Sequence, residues 1–574
     1  MQPAIRAPRL AVPIAVALLL GACGGQSPSA SVPGPQSPSG SAAQPTGAGA
    51  TASGSGEVSG DGPLYGGSLV YADFTDFPTC NPAATSLPTA LVNVFDGLAR
   101  FNTEQELQPE LAESWEVSDD GLTITFDLRD DVIWHDGEPF TSADVKFTWE
   151  SSLMTLHPRG VIANEPIDSI ETPDDSTVVF NFSQPAPGFL YQIGAPESFI
   201  IPMHIYGDED PAEGPHATCE ELPIGTGPFK AVEYTQGERF VMARNEDWWG
   251  TESGTYWDQG APYLDEIIVA FIPDDTARVN GFEGGEFDFL YQEALPQQEV
   301  ARFQAMDGRE VSFECTGQPV GQLFFFNLRD ESKPWADLKV RQAIAWAIDR
   351  EQLNERAFFG IGVPSSTTFA PTDPNYNPDI ETYSPRDLDL ANQLLDEAGW
   401  PPDSDGIRFE MRSAGYDNLA DWAEVMKQQL AEVGIEVVVE GGDFDFIVDK
   451  GYVQHDFDTL WGGLGVNDPG VGVGRLFRSD NIGDAPFNNA SAYANDEMDE
   501  LWATYTSTLD LDVRRDTIFR IQEKINEDLP VVYVNTPTNW AGRNSADFAG
   551  WSNDCTQQHA LLRTVWSTSG SPSR

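Results

Sequence analysis

At 574 residues the chain is too long for a single hydrophobic core, and its 40% hydrophobic content is enough to bury the cores of two or more domains. Its 91 acidic and 32 basic residues give a formal charge of −59, which repels nucleic acid and anionic headgroups and excludes a nucleic-acid-binding role. The acidic residues are spread along the whole chain, which is typical of an exported protein kept soluble by its charge and would also suit a saline habitat.

The first 22 residues have the order of a bacterial export signal. Two arginines precede an apolar stretch, residues 11–20, which is too short to cross a bilayer as a mature helix. The LGAC sequence that ends at Cys23 resembles a bacterial lipobox, and this resemblance implies cleavage before Cys23 and acylation of that cysteine. An ordinary secretory signal, in which Cys23 is incidental, is the alternative.

Residues 23–63 consist mostly of glycine, serine, proline, alanine and glutamine. Such a segment cannot bury enough apolar surface to fold, so we expect a disordered linker. A flexible chain of this length reaches roughly 35 Å, enough to hold a folded body just off a membrane. No later stretch reaches about 18 uninterrupted apolar residues, so the expected attachment is a lipid anchor on the extracytoplasmic face, at the cell surface or in the periplasm.

Four cysteines remain when Cys23 is set aside: Cys80, Cys219, Cys315 and Cys555. An even number in an exported chain favours two disulfides, and three pairings are possible. These cysteines form no C-x-x-C motif and no Cys/His pair with zinc spacing, so we expect no metal site.

The stretch from Pro109 to Glu150 predicts a hairpin that leads into a helix. Apolar and polar residues alternate over 115–117 and again over 122–128, with a turn signal between them. Thr141 then occupies the position of a helix N-cap, and Asp144 follows three residues later as its carboxylate partner in a capping box.

The PIGTGPFK sequence, residues 223–230, is too rich in glycine and proline for the interior of a helix or strand, so it predicts a stiff crossing. A phosphate-binding loop is excluded, because no G-K-[ST] follows and Pro228 lacks a backbone donor.

Residues 334–350, PWADLKVRQAIAWAIDR, predict an amphipathic helix that starts near Leu338. We expect Arg341, Asp349 and Arg350 to stabilise the fold and not to bind ligand. Farther on, a repeated order of helix then strand indicates an α/β domain. Its predicted helices are 388–399, 418–433, 498–506 and 513–528, and its predicted strand is 435–440. The next strand, 531–534, is expected to return to the domain in which the chain begins.

In motif and order, these segments resemble the bacterial extracellular solute-binding proteins of family 5, which serve ABC importers of peptides, nickel and related solutes. The resemblance covers almost all of residues 66–566. It implies an α/β, two-lobed periplasmic-binding-protein-like fold (class II, cluster C) with an additional domain and a ligand cleft between the lobes. The implied lobe I is 64–97, 222–328 and 530–568, the extra domain is 98–221, and lobe II is 329–529.

No catalytic constellation is found in the sequence. A G-x-S-x-G elbow, an H-E-x-x-H motif and a dinucleotide fingerprint are all absent, and the six histidines are scattered. His135 precedes an aspartate, but the pair lies in a turn pattern shared with the family, so its expected role is structural. We therefore expect a binding protein without a cofactor, and not an enzyme; a secreted hydrolase is the alternative from another class.

Residues 457–469 are the best candidate for a binding surface. A strand ends at Trp461, and Gly462 and Gly463 let the backbone approach a ligand closely. The resemblance places Leu464 where peptide-binding members carry an acidic residue that pairs with the peptide amino terminus, and Asp468 follows four residues later. A packed strand end, with no ligand contact, is the alternative for Trp461.

The resemblance implies capture of an extracellular solute by cleft closure and its delivery to permease and ATPase subunits. A peptide or peptide-like ligand is expected first, although Leu464 departs from the peptide-binding pattern. An oligosaccharide or a metal chelate are the alternatives. Asn81, in the Cys-Asn-Pro loop after the first strand, is also expected at the ligand, and the protein is expected to be a monomer.

Overall fold

The computed structural model describes residues 63–569, apart from 86–88, 103–105, 158–159, 161–163, 165, 195–197, 253–260, 292–293, 317–321, 370, 372, 374, 381, 417–419, 464–468, 471, 484–487, 537 and 552–561. The predicted signal, Cys23 and nearly all of the predicted linker lie outside the described residues. Two large sheets and a smaller third sheet, each packed against helices, organise the described part of the chain.

The first sheet has seven strands. Side chains at alternate positions pack on its two faces, as Leu69 and Tyr71 do on one face and Ala72 on the other. The predicted crossing, residues 223–230, leads into its edge strand, which begins at Phe229. In spatial order the strands are Glu310–Thr316, Thr538–Arg543, Phe289–Tyr291, Ser68–Asp73, Glu266–Phe271, Arg239–Arg244 and Phe229–Thr235. Helices Asp275–Gly284 and Val300–Gln304 cover one face.

The second sheet has six strands and helices on both faces. Phe324 and Phe326 pack against one helical layer, and Leu323 and Phe325 pack against the other, as expected for a strand buried on both sides. In spatial order the strands are Val363–Pro364, Val531–Thr536, Gln322–Phe326, Thr459–Gly463, Phe409–Tyr416 and Ile435–Gly442. One layer is Leu338–Ala347, Arg350–Ala357, Leu388–Glu397 and Ala420–Ala431; the other is Phe444–Ile447, Asp496–Ser507 and Leu511–Asp528.

The third sheet belongs to the extra domain and confirms the predicted hairpin and helix. The backbone N–H of Thr141 donates to the Asp144 carboxylate at 2.9 Å, as the capping box requires. The core of this sheet is continuous with that of the first sheet. Its strands in spatial order are Ala112–Val117, Thr123–Leu128, Thr177–Phe182 and Ile167–Asp174, and its helices are Ser142–Thr148, Phe189–Ile193 and Met203–Tyr206.

Short elements complete the described chain. Two-stranded pairs are Ala99–Phe101 with Leu107–Pro109 and Phe548–Ala549 with Trp566–Ser567. Single helical turns are Pro82–Ala84, Thr89–Asn93, Trp149–Leu153, Trp249–Glu252, Gln297–Glu299, Pro334–Ala336, Val448–Val453, Gly474–Leu476 and Ser479–Asn481.

Two crossings join the first sheet to the second. The chain leaves the first sheet after Thr316 and enters the second at Gln322, and it returns between Thr536 and Thr538. The strand expected to rejoin lobe I, 531–534, therefore pairs in the second sheet instead. Its side chains are buried on both faces there, and the strand after it makes the return. The strand Gln322–Phe326, which the predicted bound of 328 placed in lobe I, also pairs in the second sheet. The other domain bounds remain a prediction.

Arg341, Asp349 and Arg350 stabilise the fold, as predicted. Arg341 donates to the carbonyl of Asp528 at 2.8 Å, and Arg350 donates to the carbonyl of Tyr533 at 2.9 Å. Asp349 caps the helix that Arg350 begins. The two guanidinium groups thereby tie the helices Leu338–Ala347 and Arg350–Ala357 to the Val531–Thr536 strand and to the residue Asp528 that precedes it.

The crossing at 223–230 needs its glycines because the backbone lies against another segment. A Cβ at Gly225 would lie 1.9 Å from the carbonyl oxygen of Val94, and the N–H of Gly227 donates to that same oxygen at 2.8 Å. A side chain at Gly225 would therefore separate the two segments.

A disulfide joins Cys80 to Cys219, with 5.3 Å between their Cα atoms and 139 residues between them in the sequence. It links the loop after the first strand to the end of the extra domain, and closing so long a loop is worth about 5 kcal/mol in the chain-entropy account. One of the predicted disulfides is thus confirmed. The side chain of Cys315 and all of Cys555 lie outside the described residues, so the second disulfide stays a prediction.

Candidate ligand-binding cleft

The carboxyl ends of three parallel strands lie together at one edge of the first sheet. Ser68–Asp73 pairs in parallel with both Glu266–Phe271 and Phe289–Tyr291, so the last residues of all three lie at this edge. The strand that begins at Thr538 is antiparallel to Phe289–Tyr291 and therefore starts at the same edge.

The second sheet presents a matching edge. Thr459–Gly463, Phe409–Tyr416 and Ile435–Gly442 run parallel, and Val531–Thr536 runs in the same direction because it too is antiparallel to the Gln322 strand. Only residue 537 separates Thr536 from Thr538, so the two edges lie within about 7 Å of each other at this point. Ligands of open α/β sheets bind beyond the carboxyl ends of the strands, so the space between these edges is the candidate cleft.

A buried carboxylate lies at the first-sheet edge. Asp73 is 2% exposed and accepts hydrogen bonds from the Tyr71 hydroxyl and the Phe74 N–H, both at 2.8 Å. Burial raises the pKa of Asp73, and these two bonds, together with the charge of Arg278, oppose that rise.

Arg278 fastens the loops beside this carboxylate. It is 1% exposed, donates to the carbonyl of Ala294 at 2.9 Å, and also donates to the carbonyl of Ile272. Its guanidinium lies 5.9 Å from the ring centroid of Phe74, which is 37% exposed. Arg278 pairs with the carboxylate of Asp275, so the edge offers an accessible aromatic ring beside a fixed guanidinium whose charge also acts on Asp73.

Hydrogen-bond acceptors collect at the second-sheet edge. Within the described chain, Gln322 Oε1, Asn535 Oδ1 and Thr536 Oγ1 are buried and have no hydrogen-bond partner. The amide nitrogen of Asn535 is used, since it donates to Asn354 Oδ1 at 3.2 Å. Buried oxygens without donors favour a ligand or a water that can donate to them.

Trp461 lies in the core and not on an open surface. Its side chain is 1% exposed and packs edge-to-face on Trp422, with 5.3 Å between ring centroids. A Cβ at Gly415, on the neighbouring strand, would lie 2.1 Å from the Trp461 ring. These contacts favour the alternative interpretation of the sequence, in which Trp461 packs at a strand end without touching ligand. Contact of Trp461 with ligand stays a prediction.

Gly462 faces open space next to this core. A Cβ at Gly462 would meet no atom within 4 Å. The backbone of Gly463 ends the strand, whereas Leu464 and Asp468 lie outside the described residues. A close approach of ligand to these glycines is thus compatible with the structure and remains a prediction.

Asn81 is fully buried, and its side chain is occupied by the protein. Its oxygen accepts from the Ala83 N–H at 3.0 Å, and its amide nitrogen donates to the Pro211 carbonyl at 2.8 Å and to the Ser152 hydroxyl at 3.2 Å. These bonds hold the disulfide loop to the extra domain. A ligand contact by Asn81 remains a prediction that these bonds do not support.

Sequence reasoning missed Asp73 and Arg278, because 205 positions of chain separate them and only the fold brings the arginine's charge to bear on the carboxylate. The available signal was an arginine on the buried face of the helix Asp275–Gly284, next to Val279. Sequence reasoning also missed Tyr452 and Arg475. Burial lowers the pKa of Arg475, and the Tyr452 hydroxyl opposes that fall.

Tyr452 lies on the sheet face towards which Gly462 opens. It packs in the same core as Leu460, and Leu460 is two residues from Gly462, so the side chains at 460 and 462 point to one side of the strand. Tyr452 is thus a further candidate for the wall of the cleft.

Within the described residues, no group of three or more histidine, cysteine or acidic side chains is arranged to hold a metal ion. No helix in that part of the chain has the length and apolar character needed to cross a membrane.

Two α/β lobes joined by two crossings, with strand ends converging on the crossings, define a two-lobed solute receptor. Residues 106–484 match the family described as "Bacterial extracellular solute-binding proteins, family 5 Middle". The chain therefore belongs to the family 5 extracellular solute-binding proteins. It is a solute-binding protein of the peptide and nickel type, and it works outside the cytoplasm.

Relatives and solved structures agree with this assignment. Protein XP55 of Streptomyces lividans is 31% identical over 460 residues, which cover 76% of this chain and 77% of the relative. The oligopeptide-binding protein AppA of Bacillus subtilis, in complex with a nonapeptide, superposes with a TM-score of 0.71 at 25% identity and covers 88% of this chain and 100% of its own. NikA of Brucella suis, in complex with Fe(III)-EDTA, gives a TM-score of 0.75 over 87% of this chain and 100% of its own. At 23% identity this last likeness shows the fold alone. The predicted two-lobed α/β fold is confirmed.

Proposed function

We propose that this protein is the lipid-anchored substrate-binding protein of an ABC importer, and that it captures a peptide or peptide-like solute by closing its cleft. The observation that supports this most is the convergence of the carboxyl strand ends of both lobes on the crossing at Thr536 and Thr538. A ligand in that space touches both lobes at once.

Closure follows from where the polar groups lie. Asp73 and Phe74 belong to one lobe, while the acceptors of Gln322, Asn535 and Thr536 belong to the other. A ligand that uses both sets makes all its contacts only when the lobes are closed, so binding shifts the population towards the closed form. The permease then recognises that form, and its ATPase partner supplies the energy of import.

The chemistry of the edges favours a ligand rich in hydrogen-bond donors. The unpartnered groups at the second-sheet edge are oxygens, and the first-sheet edge carries a carboxylate. The chain as a whole carries a formal charge of −59, which disfavours an anionic chelate. A peptide supplies backbone N–H groups and an ammonium group. AppA, with its bound nonapeptide, is a relative of this kind.

The anchor rests on the first 63 residues. The LGAC sequence that ends at Cys23 and the Gly/Ser/Pro-rich linker that follows it support attachment through Cys23. Acyl chains on one cysteine and a reach of roughly 35 Å would hold a monomeric receptor close to its permease.

Native mass spectrometry of the protein purified from its own host tests this function. The expected result is a set of bound masses that dissociate on unfolding and fragment as peptides with free amino termini. A bound compound without amide bonds would contradict the peptide assignment in favour of a sugar or chelate. Conversion of an added substrate into a released product would contradict the transport function itself and favour the hydrolase.

A further inference from the structure

A cavity of about 470 Å³ lies in the second lobe, apart from the cleft. It is formed between the helices Leu338–Ala347 and Leu388–Glu397 and the end of Leu511–Asp528. Its volume falls within the range of small-molecule sites, about 300–1,000 Å³.

The cavity lies at the far edge of the second sheet. Asn526 and Glu527, in its wall, precede the first residue of the strand Val531–Thr536, whereas the cleft lies at the last residue of that strand. The two ends of a six-residue strand are about 16 Å apart, so a molecule in the cavity does not reach the cleft.

Aromatic and aliphatic side chains form the wall. Trp346 and Tyr383 pack edge-to-face with 5.3 Å between their ring centroids, and Leu390 and Leu394 lie beside them. The Tyr383 hydroxyl donates to the carbonyl of Asn526 at 2.8 Å, which fixes the ring in the wall. Trp346, held by this ring contact, is half-buried in the wall. Tryptophan is the aromatic side chain that attracts a cation most strongly.

The charged groups of the wall are all acidic. Asp379, Glu523 and Glu527 line the cavity, and no lysine, arginine or histidine is among its described lining residues. Glu523 and Glu527 are paired with Arg520, at 3.3 and 2.7 Å. Asp379 is exposed and has no ion pair among the described residues, so its charge is available to a ligand.

We propose that this cavity is a second binding site, separate from the transport cleft, for a small organic cation: a protonated amine on an aromatic or aliphatic body. The ammonium group lies against Asp379 and the Trp346 ring, and the apolar body packs on Tyr383 and Leu394. Aromatic walls with one unpaired carboxylate select an amine over the corresponding alcohol, because only the amine carries the charge that both groups attract.

Titration of the full folded chain with 2-phenylethylamine, followed by calorimetry and by ligand-observed NMR, tests this site. We expect 2-phenylethanol, which has the same body without the charge, to bind at least about tenfold more weakly, and Asp379→Asn to weaken the amine about two- to fivefold. Trp346→Leu, which keeps an apolar residue in the wall, should also weaken it. Glu355→Gln is the matched control, because it removes an exposed charge of the same lobe that does not line the cavity.

Equal binding of the amine and the alcohol would overturn the proposal, as would equal effects of Asp379→Asn and Glu355→Gln. Absence of saturable binding would overturn it too. The Asp379→Asn protein should still co-purify with the solute bound in the cleft. Failure of the amine to bind this cavity and absence of a co-purified solute in the cleft are therefore separate results.

Discussion

Replacing Trp461 with alanine is expected to lower the free energy of unfolding by about 3–5 kcal/mol. The side chain is 1% exposed and contacts both Trp422 and the backbone surface over Gly415. Alanine would leave a cavity between the second sheet and the helix Ala420–Ala431, because neither neighbour can collapse into the space of an indole. Urea unfolding of ligand-free protein, followed by circular dichroism, measures the loss.

The adjacent residue provides the control. Gly462→Ala adds a methyl group to open space, so we expect it to leave the free energy of unfolding unchanged or to raise it by about 0.4–1 kcal/mol. Because that methyl group enters the candidate cleft, it should weaken binding of the co-purified solute. A Trp461→Ala protein of unchanged stability but tenfold weaker solute binding would contradict the packing described here and make the indole a cleft wall.

Glu110 and His135 are expected to make opposing contributions to the pH dependence of stability. Glu110 is 0% exposed, accepts from the Gly97 N–H at 2.9 Å and lies 3.0 Å from Arg100. Burial raises the pKa of Glu110 to about 7, and the charge of Arg100 opposes that rise. Since the folded protein holds this proton more tightly than the unfolded chain does, the Glu110 contribution grows as the pH falls from about 8 to 5.

His135 acts in the opposite direction. Its Nε2 donates to the carbonyl of Gly227 at 2.9 Å, and the N–H of Gly225 donates to its Nδ1 at 3.3 Å. Burial lowers the pKa of His135 to about 4. The neutral ring therefore stabilises the fold above the unfolded pKa of about 6.5, and this contribution is lost as the pH falls towards 4.

Two variants separate these contributions. Relative to the unmodified protein, Glu110→Gln should lose about 2 kcal/mol of stability between pH 8.5 and 5.5, because the favourable uptake of a proton is gone. Over the same interval His135→Gln should gain about 1.4 kcal/mol, because the unfavourable step is gone. Unfolding free energies at several pH values check both signs. Parallel pH profiles for the two variants would show that neither group titrates as described.

Local structure could be predicted wherever one short segment carries the whole signal. The capping box of Thr141 and Asp144 needs only four residues, and the helix that starts at Leu338 needs only its own apolar face. Both formed as predicted, and Arg341 and Arg350 bond to backbone carbonyls of the fold as expected.

Features that depend on distant segments could not be predicted in this way. The sequence shows that a strand ends at Trp461, but Trp422 and Gly415, which determine the burial of its indole, lie on other elements. The charge of Arg278 acts on Asp73 because parallel pairing places the end of the Ser68–Asp73 strand beside the end of Glu266–Phe271, and the helix that carries Arg278 follows that second strand. The strand 531–534 has the same pattern in either sheet, and only its pairing with Gln322–Phe326 assigns it to the second.

Small-angle X-ray scattering of the protein with and without its co-purified solute tests cleft closure most directly. The convergence of both lobes on the crossing at Thr536 and Thr538 predicts a smaller radius of gyration when the solute is bound, with the change saturating at one solute per chain. Saturable binding with an unchanged radius of gyration would contradict capture by closure between the two lobes.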